Sequence, residues 1–291
     1  MNQTGIIWTE ATWNPMSGCE KVSAGCKYCY AMTLAEQKRG TAAFPKGFDL
    51  TIREHKLKEP FKLKVPTLIF TNSMSDLFWD QVPNEYRHKI VDVIEATPQH
   101  EYQVLTKRPE NLLKFSKERK LPANFWAGVT VEANLNRNRI RTLQEVEAEI
   151  KFISAEPLIR ELDLTDHTDG ISWVITGGES GNHLWDQTIC DNRALVYYDR
   201  SEKKWKPRPE RMDWIRNIRD VSIDKGVKFF HKQWGGNYPE AAGRTLDGKT
   251  WSEMPRYPGQ KQEIDNAYLR HLESGGVIPK GKKEQLLMFS V

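Results

Sequence analysis

Six short runs, each apolar and ending in polar residues, put the strongest limit on how this chain can fold. They are TLIFTN (Thr67 to Asn72), YQVLTK (Tyr102 to Lys107), FWAGVTVE (Phe125 to Glu132), IKFISAEP (Ile150 to Pro157), SWVITGGES (Ser172 to Ser180) and VKFFHKQWG (Val227 to Gly235). Near-continuous apolar runs of this length fit strands buried on both faces of a parallel sheet. Helical periodicity lies between several of them. Tyr86, Ile90, Val93 and Ile94 share a face after Pro83 and Asn84. Leu135, Ile140, Leu143, Val146 and Ile150 form a second stripe, with Arg137, Arg139 and Arg141 mostly on other faces. Met212, Ile215, Ile218 and Val221 form a third, before Gly226 as terminator. Strand–helix alternation predicts a parallel α/β fold. With one more strand near the N-terminus, the pattern fits a partial (β/α) barrel of about six or seven parallel strands. A doubly wound sheet is the competing arrangement. The expected barrel covers residues 1–235, with a lid insert near 37–65 that holds six lysines, two arginines and two prolines. A C-terminal extension, 236–291, is rich in Gly, Pro and charge (KGKKEQ) and reads as covering one barrel end or as partly disordered.

The polar tails carry the functional expectation. In parallel α/β folds the ligand site lies at the carboxyl ends of the strands. TNSMSD, TKR, TVEAN, SAEP, TGGES and HKQWGG would together line one polar mouth.

Into that frame comes NPMSGCEKVSAGCKYCYA, from Asn14 to Ala31. It holds three of the four cysteines, Cys19, Cys26 and Cys29, with gaps of six and two residues. Nothing resembles a signal peptide, and no run approaches the roughly 18 apolar residues of a membrane helix. A cytoplasmic protein is therefore expected, where structural disulfides are disfavoured. Mean hydropathy of −0.65 with 38% hydrophobic residues fits a chain with a packed core and no membrane partner. The spacing leaves three uses open for the thiols. Zinc would need a fourth ligand from Cys190 or a distant histidine. Cys26 and Cys29 could form a redox pair, which leaves Cys19 without a role. An iron–sulfur cluster held by three thiolates would leave one iron open for chemistry.

The segment GCEKVSAGCKYCYA resembles the cluster loop of the radical S-adenosylmethionine superfamily, with Tyr28 in the aromatic position before the last cysteine. The common spacing is three then two; here it is six then two. TWNPMSGCEKVSAGCKYCYA, TNSMSDLFW, VLTKRPE, GVTVE, SAEPL, VITGGESG and FFHKQWG resemble a phage-associated family of that superfamily, catalogued as a domain of unknown function. These segments span most of the chain, from about Thr12 to Gly235. The family is similar to radical enzymes of the spore photoproduct lyase type, which act on thymine in DNA.

The resemblance implies a [4Fe–4S] cluster on Cys19, Cys26 and Cys29, and S-adenosyl-L-methionine as second cofactor. Gly177, Gly178 and Glu179 resemble the superfamily's Gly-Gly-Glu segment, displaced here from the second strand to about the sixth. Asn72 and Ser73 occupy the second-strand position and are candidates for the methionine end. Thr130, Glu132 and Glu156 are candidates for the ammonium and ribose. Lys107, Arg108 and Lys232 could meet a carboxylate and, with Gln233 and Trp234, the substrate. Cys190, Tyr197 (with Tyr198 as its alternative) and His231 are candidates for hydrogen or proton transfer, though each is also an ordinary packing residue.

Eight basic residues against three acids between Arg200 and Arg219, with Trp205 and Trp214 interleaved, point either to nucleic acid or to a solvated helix face over core tryptophans. The expected activity is radical chemistry, isomerase or lyase in type, on DNA or a modified pyrimidine nucleotide. A small metabolite or peptide substrate, or a metal-stabilised nucleic-acid-binding module without catalysis, are the alternatives. A monomer drawing electrons from a reductase such as flavodoxin completes the expectation.

Overall fold

A computed structural model describes residues 2–255. Seven strands run parallel: β1 (Ala11–Trp13), β2 (Leu68–Thr71), β3 (Glu101–Thr106), β4 (Phe125–Thr130), β5 (Ile150–Ala155), β6 (Trp173–Gly177) and β7 (Lys228–Gln233). They lie side by side in chain order. That order gives a partial (β/α) barrel; a doubly wound sheet would reverse direction part-way. The pair Asn2–Gln3 adds antiparallel to β1 at one edge, and Ser252 bridges Phe230 antiparallel at the other.

The apolar runs are continuous because both faces are covered. All six residues of β4 are buried. Facing outward, Ile69, Tyr102, Val104, Ala127, Val129, Ile153, Val174 and Phe229 pack under the helices. Facing inward, Trp8, Phe70, Trp126, Phe152, Trp173 and Phe230 fill the barrel floor. Seven of the chain's ten tryptophans (Trp8, Trp13, Trp79, Trp126, Trp173, Trp205, Trp234) are thus core residues. Their abundance is explained by packing.

The helices are α1 (Tyr30–Gln37), α2 (Asn84–Glu95), α3 (Pro109–Glu118), α4 (Asn138–Gln144), α5 (Gln187–Arg193) and α6 (Pro209–Asp224). The stripes on α2 and α6 pack as read, and Gly226, at φ +69°, ends the turn after α6. The middle stripe needs correcting. Helix α4 is only seven residues long, Leu135 is 90% exposed in the 3-10 turn before it, and Arg139 is buried. A helical period fitted across that turn places both residues wrongly.

The basic segment also reads differently in three dimensions. It forms a hairpin, Val196–Asp199 with Lys204–Pro207, and then α6. Lys204 and Lys206 pair with Glu202, Lys206 also with Asp199, Arg208 with Asp191, and Arg216 and Arg219 with Asp247. Trp205 is buried. Local carboxylates therefore neutralise most of the charge, as on a solvated face.

Within the insert, Phe44 and Phe48 pack with Ala31, Ala35 and Met74 against Cys19 and Cys29. Residues 51–63 run down the outside, where Glu54 meets Lys89 of α2 and the Lys56 carbonyl accepts from Trp13 Nε1. After β7 the chain folds back: Trp251 O accepts from His231 N, and Glu253 O from Trp173 Nε1. Of the expected extension, residues 236–255 are described, and the KGKKEQ stretch with the rest of 256–291 lies outside the described residues. No helix among the described residues is long and apolar enough to cross a membrane.

Candidate active site

Alternation along a strand sends every second side chain to the inner face. At the carboxyl ends this places Asn72, Lys107, Thr130 and Glu132, Ser154 and Glu156, Gly177 and Glu179, and Lys232 around one mouth. Two ion pairs cross between neighbouring strand ends: Lys107–Glu132 at 3.5 Å and Lys232–Glu156 at 3.3 Å.

The cysteine loop sits on this mouth, anchored from three sides by buried carboxylates. Asp76, after β2, accepts from Thr106 Oγ1 (2.7 Å), Lys107 N (3.0 Å) and Arg108 Nη1 (3.1 Å). The same Arg108 reaches Cys19 Sγ at 3.6 Å and Glu20 O at 3.2 Å. Glu132, fully buried, accepts from Ser23 Oγ at 2.5 Å and from Arg139 Nη1 at 2.9 Å. Gly25 packs directly on it; a Cβ there would lie 2.5 Å from Glu132 Oε1. Glu179 takes both Arg193 Nε (2.7 Å) and Nη2 (2.6 Å), and Arg193 Nη2 also donates to Ala24 O at 3.0 Å. Tyr28 stacks on His183 (3.9 Å between ring centroids, planes 8° apart), with the Arg193 guanidinium 5.2 Å away.

The three thiols are free and half-buried. Burial, reinforced by Asp76, pushes Cys19 up to about 11. Burial also acts to raise Cys26, but the Lys107 charge and hydrogen bonds from Val22 and Ser23 outweigh it and hold this thiol below its ordinary value. No three Cys, His, Asp or Glu among the described residues converge as a single-ion site requires. Thiolates on one zinc all lie about 2.3 Å from the same point. In an iron–sulfur cubane each thiolate binds a different iron, so the sulfurs stand further apart. Three free thiols on one loop over a polar mouth are the number of protein ligands that a cluster with one open iron takes.

A second orphan feature faces the same mouth. Asn72 follows β2 in the left-handed region (φ +65°), is buried, and neither amide atom has a hydrogen-bond partner among the described residues. Buried polar groups normally find partners, so this amide stands out beside the mouth. Its neighbour Ser73 is engaged: its hydroxyl bonds Asn14, and its carbonyl accepts from Tyr30 OH at 2.6 Å. Glu156 meets Trp8 Nε1 at 3.2 Å besides Lys232. Gly177 and Gly178 let the chain pack closely. A Cβ on Gly177 would sit 2.4 Å from Glu156 Oε1, and one on Gly178 would sit 1.9 Å from Trp234 O. Thr130 offers its carbonyl to Arg139.

The other sequence candidates lie away from the mouth. His231 points outward from β7, with Nδ1 2.9 Å from Thr176 Oγ1, its ring against Trp234, and burial lowering it to about 3. Cys190 is buried under the hairpin, its Sγ 3.3 Å from Val196 O. Tyr197 is on the hairpin beside Arg208. Gln233 reaches Ser180, and Trp234 is core, donating to Thr245 O. Sequence reasoning passed over Ser23, Asp76, Arg139, His183 and Arg193. Asp76 closes the quoted TNSMSD tail, whereas Arg139 and Arg193 carry no sequence signal, since only tertiary contact gives them partners.

Residues 3–189 and 201–255 match the family model described as a protein of unknown function (DUF5131). The chain belongs to this family. A family of unknown function is what the motifs led us to expect. No curated protein matches the chain. Solved structures similar to it include a cysteine-to-serine mutant of spore photoproduct lyase, with TM-score 0.49 and 13% identity over 79% of this chain and 78% of that one. A double mutant of the same enzyme, with bound AdoMet and dinucleoside spore photoproduct, gives 0.46 and 12% over 78% and 77%. The enzyme complexed with dinucleoside spore photoproduct gives 0.45 and 12% over 75% and 74%.

Proposed function

We propose that this protein is a radical S-adenosylmethionine enzyme acting on DNA or a modified pyrimidine nucleotide, as an isomerase or lyase. The observation that carries the reading is the trio of free cysteines on one loop, held over the carboxyl mouth of a parallel barrel by Asp76, Glu132 and Glu179.

Cys19, Cys26 and Cys29 would hold a [4Fe–4S] cluster with one iron lacking a protein ligand. What cluster and S-adenosylmethionine supply when bound is one-electron cleavage of the sulfonium to a 5′-deoxyadenosyl radical, fed by a reductase such as flavodoxin. The protein's own part is placement. Asn72 offers a donor and an acceptor to the methionine end. Glu156 and Lys232 present opposite charges side by side for the ammonium and carboxylate. The Arg108 guanidinium partly offsets the burial that raises Cys19, and the Lys107 charge favours the thiolate at Cys26. The aromatic floor keeps water from the far side of the site.

The pyrimidine substrate follows from the resemblance of the motifs, not from the basic segment, whose charges are largely paired. Anaerobic reconstitution with iron and sulfide tests the reading. We expect a brown protein that releases 5′-deoxyadenosine under reduction. C19A, C26A and C29A each abolish both, and C190S keeps both. A colourless protein holding one zinc sinks the proposal.

A further inference from the structure

Beside the mouth, a cleft of about 200 Å³ opens between α5 and the hairpin. Leu184, Trp185, Cys190, Tyr198, Arg200 and Trp205 line it. Three of these are aromatic and touch: Trp185–Tyr198 at 4.8 Å, Trp185–Trp205 at 5.0 Å and Tyr198–Trp205 at 5.6 Å between centroids. Trp185 is nonetheless 51% exposed. A large aromatic half in water, next to others that are packed, offers a ring surface at the cost of leaving apolar area wet.

The polar groups narrow what this surface takes. Trp205 is 6% exposed and backs the cleft with its ring; its Nε1–H is closed to solvent and has no acceptor among the described residues. Indole N–H groups normally find a partner when buried. Arg200, at the lip, makes no ion pair or hydrogen bond among the described residues, whereas Lys204, Lys206 and Arg208 on the same hairpin are all paired. The cleft therefore offers a stacking face and one cation that no described residue compensates. A flat ring attached to an anion satisfies both. A cationic ligand is disfavoured by Arg200. The volume lies below the roughly 300–1,000 Å³ of a pocket for a whole drug-sized molecule, so it suits one ring.

We propose that this cleft is a base-stacking subsite, which holds a nucleobase of a single strand on Trp185 while Arg200 meets its phosphate. Its position makes that useful. The 3-10 turn Asn182–Trp185 carries Trp185 into the cleft and His183 onto Tyr28 of the cysteine loop. A base held here lies one turn away from that loop, as a nucleotide flanking the target would. The inference rests on the nucleic-acid reading above and extends it from the reacting nucleotide to its neighbour.

The test is binding of a fluorescent 12-mer of single-stranded oligothymidylate to the full-length protein, read by anisotropy at low salt. Losing one base stack to alanine weakens binding about 5- to 150-fold, the effect expected of Trp185→Ala. Trp185→Phe keeps a stacking ring and stays near wild type, which separates stacking from a folding defect. Arg200→Ala lowers the slope of log affinity against log salt by about one. Trp185→Ala binding within twofold of wild type overturns the proposal. So does a wild-type protein that takes a tryptophan-containing tripeptide and not the oligonucleotide. A wild-type protein that fails to bind the oligonucleotide yet releases 5′-deoxyadenosine would sink the subsite alone; one that binds it yet releases none would sink the radical reading alone.

Discussion

Glu132→Gln isolates the tie between barrel and cysteine loop. The carboxylate is fully buried and faces two cations, Arg139, whose side chain is 8% exposed, and Lys107. The amide can still accept from Ser23, but the negative charge is gone. Arg139 is then left as a buried guanidinium with only the Thr130 carbonyl. Breaking a buried pair by removing one partner costs about 3–5 kcal/mol, a large part of the about 5–15 kcal/mol that holds a domain folded. For a barrel of this size that lowers Tm by roughly 6–20 °C. Thermal unfolding with Arg139→Gln as the second arm gives the coupling: the double variant should be less destabilised than the two singles summed, by about 1 kcal/mol or more. Ser23→Ala, which removes one hydrogen bond to a charged acceptor, should cost less, about 1.5–3 kcal/mol. If E132Q melts within 1 °C of wild type, or adds to R139Q without coupling, Glu132 does not anchor the loop and the three-sided support described above is wrong.

Two further outcomes follow from the barrel itself. Burial lifts the Glu101 carboxyl from 4.5 to about 7, although it accepts the Trp126 Nε1–H bond at 2.7 Å. The folded protein keeps a proton that the unfolded chain releases near 4.5, so this group's contribution is full below that pH and is lost by about 7. Glu101→Gln should thus match wild type near pH 4 and exceed it at pH 8 by up to about 3 kcal/mol, read from urea midpoints; parallel pH profiles would refute this. Gly178→Ala places a Cβ 1.9 Å from Trp234 O, so β6 and β7 must part there. A loss of about 1–3 kcal/mol is expected, against almost none for Gly5→Ala, which meets nothing within 4 Å. Equal melting of the two variants would contradict the close approach.

The barrel was legible in the chain because strand and helix periods are local, and continuous apolar runs can only mean strands covered on both faces. All six runs became parallel strands, and the seventh lies near the N-terminus as expected. The mouth was legible for the same reason, since parity along each strand carries Lys107, Glu132, Glu156 and Glu179 to one side. The cysteine spacing stood in the sequence as well. Pairing of charges did not. Arg139 read as a solvated helix residue, and the segment from Arg200 to Arg219 read as a possible groove. Their partners, Glu132 and Asp247 among them, approach only when distant strands and loops close up. The same holds for the orphaned Asn72 amide and the uncompensated Arg200. An unmet hydrogen bond or charge is defined by what surrounds it, and only the tertiary structure supplies those surroundings.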